Sequence, residues 1–225
     1  MKISSCAVLL IMAAVVSLAP AAPATAPADN PELAALCEQD QAARQSDDFL
    51  KDAERIQAFD RMRRLRVMRL LDDGAAKTAH DHFNAALVLQ HGDDPLDYKL
   101  SNELCKKAVE LDPSMKEARW LMAASWDRYL MSLGKPQWYG TQFKIVNDKY
   151  YLALADLSRV SDEERRAVGT RTVEQIKEFL KKQNKTDEAS LEPPPEQDQG
   201  QGIWTPARPV PKMPATTQAS GHSAG

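Results

Sequence analysis

The chain has 225 residues, and its net charge of -3 argues against a generic nucleic-acid-binding protein, for which a strongly basic face is expected. Nine glycines exclude a collagen-like or glycine-rich chain. Four of the 14 prolines lie at residues 20–31 and seven at residues 193–214. Because proline interrupts helices, the middle of the chain is the part that can form long ones.

Residues 1–28 are typical of a secretory signal peptide. Lys2 precedes a short apolar run at residues 7–18, which small residues and prolines follow. The run is shorter than the roughly 20 residues that a membrane span needs. We therefore expect an exported protein, periplasmic or secreted, with no stable transmembrane span after signal removal. Cleavage after Ala24 and cleavage after Ala28 both fit an Ala-x-Ala site.

Two cysteines, Cys37 and Cys105, follow the predicted signal. An oxidising compartment would allow a single disulfide between them. The alternative is that both are small core residues on helix faces, since unpaired cysteine is among the most buried residue types. The sequence favours neither interpretation over the other.

The helical domain is predicted over residues 29–183, and its first helix begins at residues 29–31, where polar caps precede a proline. The second helix runs from about residue 47 to 71 and carries apolar side chains at intervals of three or four, which predict its buried face. These are Phe49, Ala53, Ile56, Phe59, Met62, Leu65 and Met68. Its other side carries five arginines, which either contact an anionic partner or membrane surface or form a solvated face paired with nearby aspartates. They are Arg61, Arg63, Arg64, Arg66 and Arg69.

Three more helices are predicted at about residues 77–91, 94–111 and 115–133. The join at residues 105–124 is similar to a junction between two tetratricopeptide repeats, with a proline that closes one unit and an aromatic residue that begins the next. A solenoid needs about three such units, and only one junction matches. We therefore expect a mainly α fold of antiparallel, tetratricopeptide-like helical hairpins.

The character of the sequence changes after Gly134. Two runs rich in β-branched and aromatic residues surround Asn147 and Asp148, a pattern that predicts a small β-hairpin near residues 141–154. Ser161 and Glu164 form a capping box, and a last helix is predicted from Thr172 to about residue 182. Residues 184–225 are dominated by Pro, Gln, Glu, Gly and Ser, which predicts a disordered tail.

Five polar motifs lie along residues 33–180. They are Asp40-Gln41 with Arg44, Gln90-His91, Asp127-Arg128, Gln137-x-Tyr139-Gly140-Thr141-Gln142 and Arg165-Arg166-x-x-x-Gly169. In this order they resemble the landmarks of a bacterial exported domain family of unknown function, and the Tyr-Gly-Thr-Gln stretch is the most specific part. The resemblance implies a mainly helical secreted or membrane-associated domain, and it brings no established activity.

Some of these residues are candidates for chemistry. The candidates for acid/base catalysis are His91, Asp127 and Arg128. The candidates for holding a polar ligand are Gln137, Tyr139, Thr141 and Gln142. In the structural alternative, His91 caps a helix end, Asp127 and Arg128 form buried bridges, and the turn at residues 139–142 is a folding clamp whose side chains satisfy loop amides.

We expect no metal site and no cofactor. His80 and His82 are two positions apart on one helix, so their side chains point about 200° apart and do not face a single ion. The chain has no phosphate-binding loop and no serine-nucleophile motif.

The sequence supports two functions from different classes. The first is a non-enzymatic exported module that binds a protein or peptide partner through the groove between paired helices. The second is a small hydrolase-like or ligand-binding enzyme with a polar site around His91, Asp127, Arg128 and the turn at residues 139–142. Convergence of these side chains around an open cleft would favour the enzyme, whereas burial with mutual hydrogen bonds would favour the binding module.

Overall fold

The computed structural model describes residues 26–45, 53–193 and 203–206. This part of the chain is mainly helical with a small antiparallel sheet, as the sequence predicts. Its helices are α1 (Pro31–Gln45), α2 (Ala53–Asp72), α3 (Ala79–Leu89), α4 (Pro95–Leu111), α5 (Lys116–Ser132), α6 (Asp162–Val168) and α7 (Val173–Asn184), and its strands are β1 (Gln142–Val146), β2 (Lys149–Leu152) and β3 (Ile203–Pro206). Most of the predicted signal peptide and most of the predicted tail lie outside the described residues.

Polar side chains set the helix starts that the sequence predicts. The Asn30 side chain accepts hydrogen bonds from the amides of the first turn of α1, at 2.9 and 3.1 Å. Asp94 caps α4 in front of a proline, and reciprocal capping boxes begin at Ser161 and Thr172. Each cap satisfies amides that the helix itself leaves unpaired.

The larger hydrophobic core surrounds α3, which is buried along residues 83–90 and contacts α1, α2 and α4. Cys37 of α1 and Cys105 of α4 both lie in this core as thiols, with no disulfide between them. Burial raises the pKa of the Cys37 thiol to about 12 and also raises that of Cys105. The core interpretation of the two cysteines is therefore the one that the structure supports.

The predicted buried face of α2 is wrong at four of its positions. Phe59, Met62, Leu65 and Met68 are exposed by 49%, 65%, 55% and 39%, while Phe49 and the side chain of Ala53 lie outside the described residues. The buried positions instead follow the spacing Ile56, Asp60, Arg63, Val67 and Leu70. Asp60 and Arg63 neutralise each other inside the domain, so a helix face that looks polar in sequence becomes the inner one.

A second, smaller core lies between the sheet and α7, and contains Phe143, Leu152, Ile176 and Leu180. The strand order is β2-β1-β3, and Asn147 and Asp148 turn the hairpin with φ angles of 50° and 61°. β3 pairs antiparallel with β1. The four residues of β3 belong to residues 184–225, for which a disordered tail stays a prediction.

Candidate functional site

The loop that follows α5, residues 137–142, is held by a buried carboxylate. Oδ1 of Asp127 accepts hydrogen bonds from the amides of Trp138 and Tyr139 at 2.8 and 2.9 Å. Oδ2 accepts from the amide and the hydroxyl of Thr141 at 3.0 and 2.7 Å. Both oxygens are therefore occupied by groups of the loop, and the side chain is fully buried.

Gln137 closes the same loop from within. Its Nε2 donates to the carbonyl oxygens of Gln142 and Ala153 at 2.9 and 3.1 Å, and its Oε1 accepts from the Gln142 amide at 2.9 Å. These three bonds tie the loop to the start of β1 and to the residue after β2. The buried side-chain amide of Gln137 thus both donates to and accepts from backbone groups, as a neighbouring strand would in a sheet.

Arg165 of α6 donates hydrogen bonds to backbone carbonyl oxygens in and around the loop. Its guanidinium donates to the carbonyl oxygens of Trp138, Leu157 and Val160 at 2.8, 2.9 and 2.5 Å, and the residue is only 1% exposed. Loop amides thus find acceptors on Asp127, and loop carbonyls find donors on Arg165. This arrangement agrees with the structural alternative for the turn, a folding clamp.

The clamp affects the chemistry open to Asp127 and Tyr139. Burial raises the pKa of Asp127, although the hydrogen bonds from Tyr139, Thr141 and Trp138 lower it in part. Burial also raises the pKa of Tyr139. Both carboxylate oxygens of Asp127 each accept two hydrogen bonds from the loop. General-base catalysis by this side chain would therefore require the loop to open.

A second polar cluster lies where α1 and α2 meet the end of α3. Oδ2 of Asp40 lies 2.9 Å from Nδ1 of His91, and Arg44 contacts both Asp40 and Asp60 at 2.9 Å. Arg63 also contacts Asp60 and lies within 3.9 Å of Asp40. His91 therefore pairs with a buried carboxylate from α1, which the sequence does not reveal because 51 positions separate the two residues.

Burial and the charges within the cluster shift the pKa values of His91 and Asp40. Burial lowers the pKa of His91, and Asp40 opposes that shift. Burial would raise the pKa of Asp40, but His91 and Arg44 together hold it below its ordinary value. An imidazole that donates through Nδ1 to a carboxylate presents Nε2 for proton transfer, and Nε2 has no hydrogen-bond partner in the described part of the chain.

Arg128 does not bridge to the neighbouring Asp127. Its Nη1 instead donates to the carbonyl oxygen of Gln90 at 3.5 Å, which places the guanidinium beside the residue that precedes His91. Arg128 and Gln142 line one cavity, whereas Thr141 lines another. Neither of these two cavities is lined by His91 or Asp40.

The motifs thus separate into two groups. Asp127, Gln137, Thr141 and Gln142 come together as a buried, mutually bonded clamp. His91 joins Asp40, and two members of that cluster, Asp60 and Arg63, are not among the acid/base and ligand candidates derived from the sequence. In the sequence, Arg63 belongs to the basic side of α2, for which pairing with aspartates in solvent is one expectation, and the structure shows the pair with Asp60 but buries it. Asp60 lies four residues after Ile56, and Arg63 lies three residues after Asp60, so both continue the buried stripe of α2. This spacing alone does not predict that two charged residues are buried.

Within the described ranges, no helix is both long and apolar enough to cross a bilayer. In the same residues, no group of three or more His, Cys, Asp or Glu side chains is placed to hold a metal ion.

Comparison of the chain with protein-family models, with curated proteins and with solved structures gives no match. The resemblance to a bacterial exported family therefore stays a prediction.

Proposed function

We propose that this chain is an exported, non-enzymatic module that binds a partner protein through α2. The observation that carries the proposal is the outer face of α2, defined here as Phe59, Met62, Leu65 and Met68, whose large apolar side chains are exposed on one helix. Residues three apart are neighbours on a helix surface, so these side chains form a stripe that winds around the exposed part of α2. Exposed apolar surface of this kind is typical of protein-interaction sites.

The chemistry around the outer face indicates what it binds. Arg61 and Arg69 are exposed on the same side of the helix, so apolar and positively charged groups alternate there. A complementary partner segment carries apolar residues for the face and aspartate or glutamate for the arginines. The groove between paired helices, which the sequence suggests, remains a prediction, and the outer face of α2 has the stronger physical support.

A capture experiment tests this surface. Tagged protein is incubated with the exported fraction, and proteins retained by the wild type are compared with those retained by Met62→Asp/Leu65→Asp. Leu96→Asp, which alters a side chain exposed by 69% on α4, is the matched control. The proposal predicts a partner that the wild type and the control retain and the double variant loses. It is wrong if every retained protein is indifferent to the double substitution while all three proteins melt at similar temperatures.

Export is the other part of the proposal, and it rests on the signal-like residues 1–28. Mass spectrometry of the native protein determines its N-terminus. An N-terminus at Thr25 or Asp29 corresponds to cleavage after Ala24 or Ala28. An uncleaved chain retained in the cytoplasm would contradict export.

One observation supports a second candidate, a hydrolase-like function. Asp40 orients His91 as a carboxylate orients the general base of a catalytic triad. No Ser, Thr or Cys side chain within the described residues is hydrogen-bonded to Nε2, so the nucleophile would be water. Hydrolysis of activated esters by the wild type, lost in His91→Gln at unchanged melting temperature, would support this function. Equal rates for the two proteins would exclude it.

A further inference from the structure

Arg128 is a mostly buried cation that forms no ion pair with a carboxylate of the described residues. Its Nε is buried without a hydrogen-bond partner, and Nη1 makes a single long bond, to Gln90. A guanidinium stays protonated in proteins, and a buried charge without a partner is unfavourable. Among the described residues, this positive charge in the last turns of α5 therefore has no carboxylate partner.

This charge lies at a cavity. The cavity has a volume of about 490 Å³, within the range of about 300–1,000 Å³ that is usual for small-molecule sites. Lys135 and Lys144 line it together with Arg128, and no acidic residue of the described chain does. Met131 and Leu154 give the same cavity an apolar wall.

We propose that this cavity binds the carboxylate of an amphipathic ligand, with Arg128 as the anchor and the apolar part of the ligand against Met131 and Leu154. A guanidinium presents a planar pair of donors that matches the two oxygens of a carboxylate. Lys135 on the exposed rim adds attraction without requiring a fixed geometry. The ligand would supply the negative charge that the described residues do not supply to Arg128.

The apolar wall favours a carboxylate that carries an aliphatic group over inorganic phosphate as the ligand. Inorganic phosphate would satisfy the cations but would leave Met131 and Leu154 against water, whereas a carboxylate attached to an aliphatic group uses both halves of the cavity. Such a ligand comes from either of two sources, the C-terminus of a peptide that ends in an aliphatic residue or a free aliphatic acid. The site is separate from the outer face of α2, so either proposal can fail without the other.

Calorimetric titration of the purified protein distinguishes these ligands. The probes are N-acetyl-alanyl-leucine and hexanoate, their uncharged amides, and inorganic phosphate. We expect at least one carboxylate to bind saturably and its amide to bind at least tenfold more weakly. Binding of the dipeptide alone identifies a peptide C-terminus, and binding of hexanoate identifies a free acid. Absence of saturable binding by both carboxylates, equal binding of an acid and its amide, or tighter binding of phosphate would overturn the proposal.

Variants locate the binding. Arg128→Gln is expected to weaken carboxylate binding at least tenfold, and Lys135→Glu, at an exposed position on the rim, is expected to weaken it several-fold without affecting folding. Lys116→Glu makes the same charge change at the opposite end of α5 and should leave the affinity unchanged. If Arg128→Gln does not fold, the affinities of Lys135→Glu and Lys116→Glu for the carboxylate are compared instead. Equal affinities of these two variants would show that the cavity is not the binding site.

Discussion

Asp127 and Arg165 both form hydrogen bonds with the backbone of Trp138, Asp127 with its amide and Arg165 with its carbonyl oxygen. The Asp127 carboxylate accepts from the amide of Trp138 at 2.8 Å, and the Arg165 guanidinium donates to the carbonyl oxygen of Trp138 at 2.8 Å. α5 supplies the acceptor and α6 supplies the donor, so the loop between α5 and β1 is held by both helices. The loop is thereby a structural junction, and its polar residues are expected to affect stability first.

Asp127→Asn should destabilise the fold. The substitution replaces one acceptor oxygen by an NH₂ group, which then faces the donors that Asp127 satisfies. A buried donor left without an acceptor costs about 1–3 kcal/mol, and more where the lost bond was to a charged group, so we expect a loss of about 2–4 kcal/mol in the free energy of unfolding. Urea denaturation measures it. Asp148→Asn, at an exposed turn position, is the control, and equal stability of the two variants would contradict the clamp.

Gly140→Ala tests the close packing behind the clamp. Gly140 has a φ of +74°, and a Cβ there would lie 2.6 Å from Cδ1 of Ile176. Gly134 has a similar φ of +68° but open space around it. In both variants an alanine adopts the left-handed conformation, which lowers the free energy of unfolding by about 1–2 kcal/mol. Gly140→Ala also overpacks the contact with Ile176, which lowers it by about a further 1–3 kcal/mol. Thermal unfolding should therefore place Gly140→Ala below Gly134→Ala, and the reverse order would refute the contact with α7.

Cys37 and Cys105 should remain unreactive thiols in the native protein. Both are buried, and burial raises the pKa of each, so little thiolate is present at neutral pH. Alkylation followed by peptide mapping should label neither residue until denaturant is added, and a reductant should leave the melting temperature unchanged. A bridged Cys37–Cys105 peptide from the native protein would contradict the structure.

The sequence predicts the helices well because their ends are local. Caps such as Asp94 and Ser161 act on amides two or three residues away, and Asn147-Asp148 turns its own hairpin. Each of these features lies within a few residues of the element that it specifies. The order and type of the helices and of the β1–β2 hairpin therefore follow from the sequence without reference to tertiary packing, whereas β3, whose pairing with β1 is distant in sequence, does not.

The inner face of α2 could not be predicted in the same way. The run of apolar residues at intervals of three suggests a core-facing stripe, but Asp60 and Arg63 lie on the buried side because Arg44 of α1 and Asp40 complete their charges. These partners are distant in sequence, so only the tertiary structure shows that the polar face can be buried. The same reason hides the pairing of His91 with Asp40, although both residues stand out in the sequence.

The burial of His91, which its pairing with Asp40 only partly offsets, predicts how stability depends on pH. The ordinary pKa of histidine is 6.5, and burial lowers the pKa of His91 in the folded chain. Below about pH 6.5 the unfolded chain then binds more protons than the folded one, so the free energy of unfolding falls as the pH falls. The lowered pKa of Asp40 acts in the same direction below its ordinary value of 3.8. The stability that these two groups contribute is therefore present at neutral pH and lost in two successive acidic ranges.

His91→Gln should remove the first of these two ranges. Its unfolding free energy between pH 7 and pH 5 should fall less steeply than that of the wild type, because glutamine takes up no proton, while the loss below pH 4 should remain. Urea denaturation at half-unit steps of pH measures both proteins. A slope in His91→Gln equal to that of the wild type would show that His91 keeps its ordinary pKa in the folded state and that burial does not control its charge.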